Sequence, residues 1–434
     1  MILISREEGG DVEEGHLSLE VLALWLSNRL EHEEVLRQIA PHLIEVCAVC
    51  RERVEEIRDL QEEIGHWDES VAVFESRQAP ELLAELSEHP FEEQLKLVEE
   101  QEEMHIWGFC RLLLRQSREA VFDNPGRAVD LADLAVRIAG HLDDAYDPHW
   151  VLDMRAQAWS YLGNARRVVG ELRSAEDAFR RAEDCMAHST SGNTAVQAEI
   201  FRLKTSLRHD QRRFTEALAL ANQALDLYRQ NQDPRGIGKL ALKKAKILEE
   251  LGELDDAIQL LEQSSEETVA AKDTRLFSYV RYNLLCCLIG AGRYKEAERL
   301  LPEVQELFQD SAQPLDRVRL RWAEGSIALG CGRMQEAEEL FREVQRSFLE
   351  RRMGYDAALV SLDLAILYAQ ESRSQEIKQL AVEIMPAFES REVHREAMAA
   401  LLMFQQACEE ERLTVQLARQ IAAFLKRERL GRRG

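Results

Sequence analysis

Two imidazoles and two thiols near the start of the chain are spaced to hold a metal. His16, His42, Cys47 and Cys50 follow the pattern His-x25-His-x4-Cys-x2-Cys. Two thiolates and two neutral imidazoles suit tetrahedral zinc. The Cys-x2-Cys step lets both sulfurs converge from one turn, and His16 would clip the start of one helix to the end of the next. A helical unit of about 40 residues buries little apolar surface, so bound metal would add stabilisation that so thin a core lacks. Four residues separate His42 from Cys47. On an ideal helix that step turns the second ligand about 140° away from the first. Either the helix unwinds or bulges before Cys47, or His32 takes the place of His42. As a redox pair, Cys47 and Cys50 lack the βαβ context that thioredoxin-type chemistry uses.

The residues around these ligands read as a helix through Trp25 and Leu30, then a second helix running into Pro41-His42-Leu43-Ile44-Glu45-Val46-Cys47-Ala48-Val49-Cys50. This stretch resembles the zinc-binding anti-sigma domain of bacteria, whose pattern is an early histidine, about 25 residues, then His-Leu-x-x-Cys-x-x-Cys. His16, His42, Leu43, Cys47 and Cys50 match it, and the extra residue before Cys47 departs from it. The resemblance covers about the first tenth of the chain. It implies a small helical zinc-finger-like module that grips a sigma factor or senses redox or metal state. Beyond it, Val54, Ile57, Leu60 and Ile64 share one face of a charged helix that Gly65-His66-Trp67 ends, and the stretch to Arg77 reads as a linker.

What positions any chemistry in the remainder is a repeat. A triplet of markers, an alanine with a second and a third four and seven residues on, falls at Ala128/Ala132/Ala135, Ala175/Phe179/Ala182, Ala217/Ala221/Ala224, Ala257/Leu261/Ser264, Ala297/Leu301/Val304, Ala337/Phe341/Val344 and, with isoleucine first, Ile377/Ala381/Ile384. The first markers are 47, 42, 40, 40, 40 and 40 residues apart. A fixed period of that size means stacked helical hairpins, none able to bury its apolar face alone. One stretch carries Trp159, Leu162, Gly163, Gly170, Ala175, Phe179 and Ala182, and resembles the tetratricopeptide repeat at its diagnostic places. Gly163 and Ala175 are small where two helices cross closely, Gly170 permits a tight turn, and Phe179 and Ala182 fill the seam to the next hairpin. Leu251-Gly252-Glu253, Gly292-Arg293-Tyr294 and Gly332-Arg333-Met334 echo the turn.

Composition agrees. Hydrophobic residues make up 45% of the 434, with only 9 prolines and 21 glycines, so the chain reads as nearly all helix with ample core. The expected architecture is an all-α, tetratricopeptide-like right-handed α-solenoid of about seven to eight hairpins, preceded by the small zinc-finger-like module. The expected boundaries are 1–66 for the module, 67–103 for linker and capping helices, 104–427 for the solenoid and 428–434 for a basic tail. A net charge of −24 argues against direct nucleic-acid binding, which needs a basic footprint. No apolar run approaches the roughly 18–20 residues that span a membrane. The opening residues turn acidic at once and lack a signal-peptide profile, so a cytoplasmic location is expected. Eight cysteines do not make a disulfide scaffold, and those beyond Cys50 read as small buried apolar residues.

In this repeat class the first helix of each hairpin lines the concave face. Residues 18, 15, 11 and 8 positions before each marker alanine then gather Asn164, Arg167, Arg202, Lys239, Lys246, Tyr282, Arg319 and Trp322 on one surface. Arginine forks carboxylates bidentately and tyrosine or tryptophan anchors side chains, so an acidic or extended peptide is the expected occupant. The competing reading is that these charges balance neighbouring glutamates and that Trp322 is core. Glycine-rich phosphate loops, Gly-x-Ser-x-Gly elbows and His-Glu-x-x-His are absent, so no enzyme is expected. His141, Asp143, Asp144, Asp147 and His149 read as an inter-hairpin loop of solvated acids. The sequence therefore points to a regulatory adaptor with a protein or peptide partner, with a self-associating scaffold and a peptide-sensing receptor as alternatives.

Overall fold

A computed structural model describes residues 12–13, 16–17, 69–142, 146–269, 272–309, 314–388 and 413–430. Among them Val12–Glu13 and His16–Leu17 form a two-residue antiparallel pairing, with Val12 opposite Leu17 and Glu13 opposite His16. Every longer element is helical. The chain divides into two compact units, Met1–Leu203 and Lys204–Gly434.

In the first unit α1 (Glu69–Ser87) packs on α3 (Trp107–Ala120), and α2 (Phe91–Glu100) packs on α4 (Pro125–His141). Then follow α5 (Pro148–Val168), α6 (Leu172–His188) and α7 (Thr194–Asp210), within which the unit boundary falls. The stretch up to Arg77, expected as linker, is helical from Glu69 onward, and α1 continues through Pro80. Proline disfavours a helix interior, but burial of Ala79 and Leu86 against α3 and α4 decides here. The second unit holds α8 (Phe214–Gln230), α9 (Pro234–Leu251), α10 (Leu254–Thr268), α11 (Thr274–Gly290), α12 (Tyr294–Gln309), α13 (Pro314–Gly330), α14 (Met334–Glu350), α15 (Gly354–Gln370), α16 (Ser374–Phe388) and α17 (Val415–Leu430), the last packed on α15.

Helix starts follow local chemistry. Asn124, Asp147, Asp233 and Asp273 accept backbone N–H groups of the first turn at 3.2, 2.8, 2.8 and 3.0 Å, the usual satisfaction of orphan donors. Pro125, Pro148 and Pro234 occupy the first helical turn, where a missing N–H costs nothing. Helix ends repeat a different device. Gly170, Arg212, Gly252, Gly292, Gly332 and Ser372 close the first helix of successive hairpins, all with positive φ between 58° and 88°. At each, the N–H of that residue and of the next bond back to carbonyls three and five positions earlier, as Gly252 to Glu249 and Glu253 to Leu248. This is the Schellman arrangement. Glycine enters the left-handed region freely, whereas a residue with Cβ is strained there by about 1–2 kcal/mol. Gly252→Ala is therefore expected to destabilise by about 1–2 kcal/mol and Ser372→Gly to be neutral or stabilising by up to about 1 kcal/mol, as read from urea midpoints.

Among the described residues, all triplet markers but one lie in the core. Ala128, Ala175, Ala217, Ala257, Ala297 and Ala337 are all 0% exposed. Leu301, one place before Pro302, is the half-buried exception. The small residues sit where helices cross. A Cβ on Gly163 would come within 2.9 Å of the Phe179 ring, and one on Gly325 within 2.7 Å of the Phe341 ring. Both pairs are sixteen residues apart, so the same contact recurs in each unit.

At the start of α3 two long-range side chains satisfy the helix N-terminus. The Gly108 N–H donates to Glu75 Oε2 at 2.9 Å, the Trp107 N–H donates to the Tyr146 hydroxyl at 3.0 Å, and that hydroxyl donates to Glu75 Oε1 at 2.8 Å. Burial pushes the Glu75 carboxyl above its ordinary range, against the three hydrogen bonds that favour the anion. Some loop expectations change on inspection. Asp147 caps α5, while His141 stacks on His105 at 4.2 Å and lies 2.9 Å from Glu99, so these side chains have fixed neighbours. Residues 143–145 lie outside the described set. Cys110 and Cys287 are buried, as expected, whereas Cys185, Cys286 and Cys331 are partly exposed.

Candidate protein-binding surface

In the second unit the first helices α9, α11, α13 and α15 pack against one another in succession. Five of the residues expected to line a groove stand on these helices. Lys239 is exposed and Lys246 half-buried on α9. Tyr282 on α11 is half-buried, with its ring 5.6 Å from Phe308 and its hydroxyl donating to the Arg319 carbonyl at 3.4 Å. The Arg319 guanidinium lies 3.5 Å from the buried Asp316 carboxylate on the same helix. Trp322 packs edge-on against Phe348 at 5.9 Å, and its indole N–H donates to Asp363 at 2.7 Å.

Side-chain rungs join α7 to α9, α11 to α13 and α13 to α15. Tyr279 donates to Asp316 at 3.0 Å, and Trp322 reaches Asp363. His209, only 2% exposed, reaches Glu250 at 2.8 Å. His209 Nδ1 lies 3.1 Å from the Lys243 ammonium and 3.2 Å from the Asp210 carboxylate, so the ring is held from both sides. These rungs were not found from the sequence. A signal existed: the partners stand 37 to 41 residues apart, close to one repeat.

The first unit holds the remaining expected residues. Arg167 is 6% exposed and its Nε donates to Asn164 Oδ1 at 3.1 Å. Arg202 forks onto Glu199 at 2.6 and 2.7 Å, and the Tyr161 hydroxyl donates to the same carboxylate at 3.1 Å. Bidentate pairing of this kind is strong and directional. Any ligand carboxylate would have to compete with Glu199 for that fork. Of the expected metal ligands, His16 stands in the short antiparallel pairing, and His42, Cys47 and Cys50 lie outside the described residues. Among the described residues no group of three or more histidine, cysteine, aspartate or glutamate side chains is placed to hold a metal ion, and no helix is long and apolar enough to cross a membrane.

No family model matches the chain. A pentatricopeptide repeat-containing protein of Arabidopsis thaliana is 36% identical over 94 residues, which is 21% of this chain and 16% of that protein. The match thus spans under a fifth of that relative's length. Among solved structures, aspartyl phosphate phosphatase F from Bacillus subtilis is similar with a TM-score of 0.53 at 11% identity, over 86% of this chain and 94% of that one. A signal-transduction ATPase with a tetratricopeptide repeat sensor, from Pyrococcus horikoshii, is similar with a TM-score of 0.50 at 16% identity, over 83% of this chain and 57% of that one. At these identities the likeness is one of fold: the chain is an all-helical repeat protein of the tetratricopeptide-like kind.

Proposed function

We propose that the chain is a non-enzymatic, cytoplasmic regulatory adaptor that holds a protein segment or an extended acidic peptide along the first-helix stripe of the second unit. The observation that supports this reading is the make-up of that stripe. It sets the cations Lys239, Lys243 and Lys246 of α9 on the same succession of helices as the half-exposed aromatics Tyr282 and Trp322. Cross-helix hydrogen bonds hold both rings, and a surface fixed before binding loses less entropy on association. Arg202, Asn164 and Arg167 belong to the same reading in the first unit. The test is calorimetric titration of the full chain with acidic extended peptides. The double variant Lys239→Glu/Lys246→Glu is expected to bind at least about tenfold more weakly with an unchanged unfolding midpoint; equal binding discards the stripe as the contact surface.

The zinc-finger-like module enters this proposal as the part that grips a transcription-machinery partner such as a sigma factor. His16, His42, Cys47 and Cys50 are its proposed zinc ligands. Elemental analysis of the purified full chain is expected to find about one zinc per chain, falling severalfold in Cys47→Ser. Less than about 0.2 zinc in the parent chain removes the metal.

A further inference from the structure

Helix α1 is a surface helix laid over part of the first-helix side of the first unit. It buries one narrow stripe, Glu75, Ala79 and Leu86, at steps of four and seven residues, while Pro80, Glu81 and Glu85 are exposed. The helix packs on α3. Together α1, α3 and α5 line a cavity of about 110 Å³, to which α5 gives Gln157 and Tyr161. Those two stand seven and three residues before Asn164, so helical period puts all three on one face of α5. The approach to α3 is close: a Cβ on Gly108 would come within 2.7 Å of the Glu75 backbone. The Glu75 carboxylate accepts the Gly108 N–H and the Tyr146 hydroxyl, and so caps α3 from another element. Two features weaken the hold of α1. Pro80 has no N–H to give to the Ser76 carbonyl, so the helix lacks an internal bond beside the cavity. Burial pushes the Glu75 carboxyl up, so the seated anion carries a desolvation cost.

We infer that α1 is a displaceable internal ligand: it fills a helix-binding seat beside α3 and α5, and yields that seat to an amphipathic helix of a protein partner. The resident helix defines the chemistry that the seat accepts. A carboxylate meets the backbone N–H groups at the start of α3, where the helix dipole also favours an anion. A leucine three turns on enters the cluster that holds Phe109 and Leu113 of α3, as Leu86 does at 1% exposure. A small residue between them, as at Ala79, lets the two backbones approach. This is recognition of a helix by a groove, with anchors on one face. Because α1 is tethered, it competes with any partner at an effective concentration in the millimolar range. Its departure would uncover Gln157 and Tyr161 beside Asn164, so the contact is autoinhibitory. The inference stands on the first unit alone and is independent of the α9 lysines.

The experiment uses the full chain and a fluorescent synthetic peptide of Glu69–Ser87, which stands in for the partner helix. Glu75→Lys/Leu86→Asp in the chain disables the resident helix and leaves α3 and α5 unaltered. That chain is expected to bind the peptide saturably. The parent chain, with its tethered competitor in place, should bind it at least about tenfold more weakly. A peptide carrying the same two substitutions should also lose at least about tenfold. So should the disabled chain with Gly108→Ala added, since the new Cβ blocks the approach that Glu75 makes. In the parent chain, hydrogen exchange should be faster in α1 than in α3 to α5, through local opening. The inference is overturned by no saturable binding to the disabled chain at roughly 1 mM peptide, by equal binding to the parent chain or of the substituted peptide, or by binding that survives Gly108→Ala. Protection of α1 equal to that of α3, or unfolding of α3 to α5 in the disabled chain, overturns it too, because α1 is then part of the core.

Discussion

Phe341→Ala is expected to lower the stability of the Lys204–Gly434 unit by about 3–5 kcal/mol. Phe341 is fully buried in the cluster that also holds Val344, Phe348, Leu362 and Tyr368. Its ring lies over Gly325, which has no side chain to swing into the space. Removal of the ring therefore leaves a void that the neighbours fill only in part, and the cost includes both lost transfer free energy and lost contacts. Repeat arrays unfold hairpin by hairpin as well as globally. Hydrogen exchange on α13 through α15 is the sensitive measurement, beside the urea midpoint of the full chain. Leu301→Ala, at the one half-buried marker before α13, is the control and should cost about 1 kcal/mol or less. A loss at Phe341 no larger than at Leu301 would contradict the close helix crossing described above.

Trp322→Ala is expected to cost about 3 kcal/mol, from two separable sources. Part is the indole's packing on Phe348; the rest is the loss of a donor to Asp363, which is 9% exposed and would keep a desolvated carboxylate. Trp322→Phe isolates the second part, since it keeps a ring and deletes the N–H, and should cost about 1–2 kcal/mol. A double-mutant cycle with Asp363→Asn measures the coupling, expected at about 1 kcal/mol or more. Zero coupling would mean that the indole is not tied to Asp363 and is open to act as an anchor. This has a practical effect on binding studies. A Trp322→Ala variant that fails to bind a partner could do so because α13 and α15 have shifted, so the two lysines of α9 are the cleaner probes.

The repeat was legible in the sequence because its causes are local and periodic. A buried small residue, markers four and seven positions on and a turn glycine recur at the same offsets, and burial and φ obey them. The turn could be read at Gly170, Gly252, Gly292 and Gly332. It was hidden at Arg212 and Ser372, where the same left-handed geometry is imposed by flanking helices on residues that do not announce it. That these side chains stand on first helices was also legible, since it follows from the repeat. Their engagement was not. Arg202 turns to Glu199 on its own helix, and Trp322 turns to Asp363 on the next first helix. Such choices depend on distances between helices, to which composition is blind. Helix α1 itself was obscured by Pro80, whose local penalty is outweighed by apolar burial.

The turn arginines lead to a statement about modular editing. Arg333 bonds Glu298 and Arg373 bonds Glu338, each 2.6 Å long and each reaching back 35 positions. Excision of residues 299–338 would set Glu298 thirty-five positions before Arg373, where Glu338 now stands. Shortening or lengthening this unit in whole multiples of forty residues thus re-forms the same ion pair between new neighbours, whereas any other increment severs it. Length is in this sense a quantised variable of the chain, free to drift during descent or design without new contacts having to be invented.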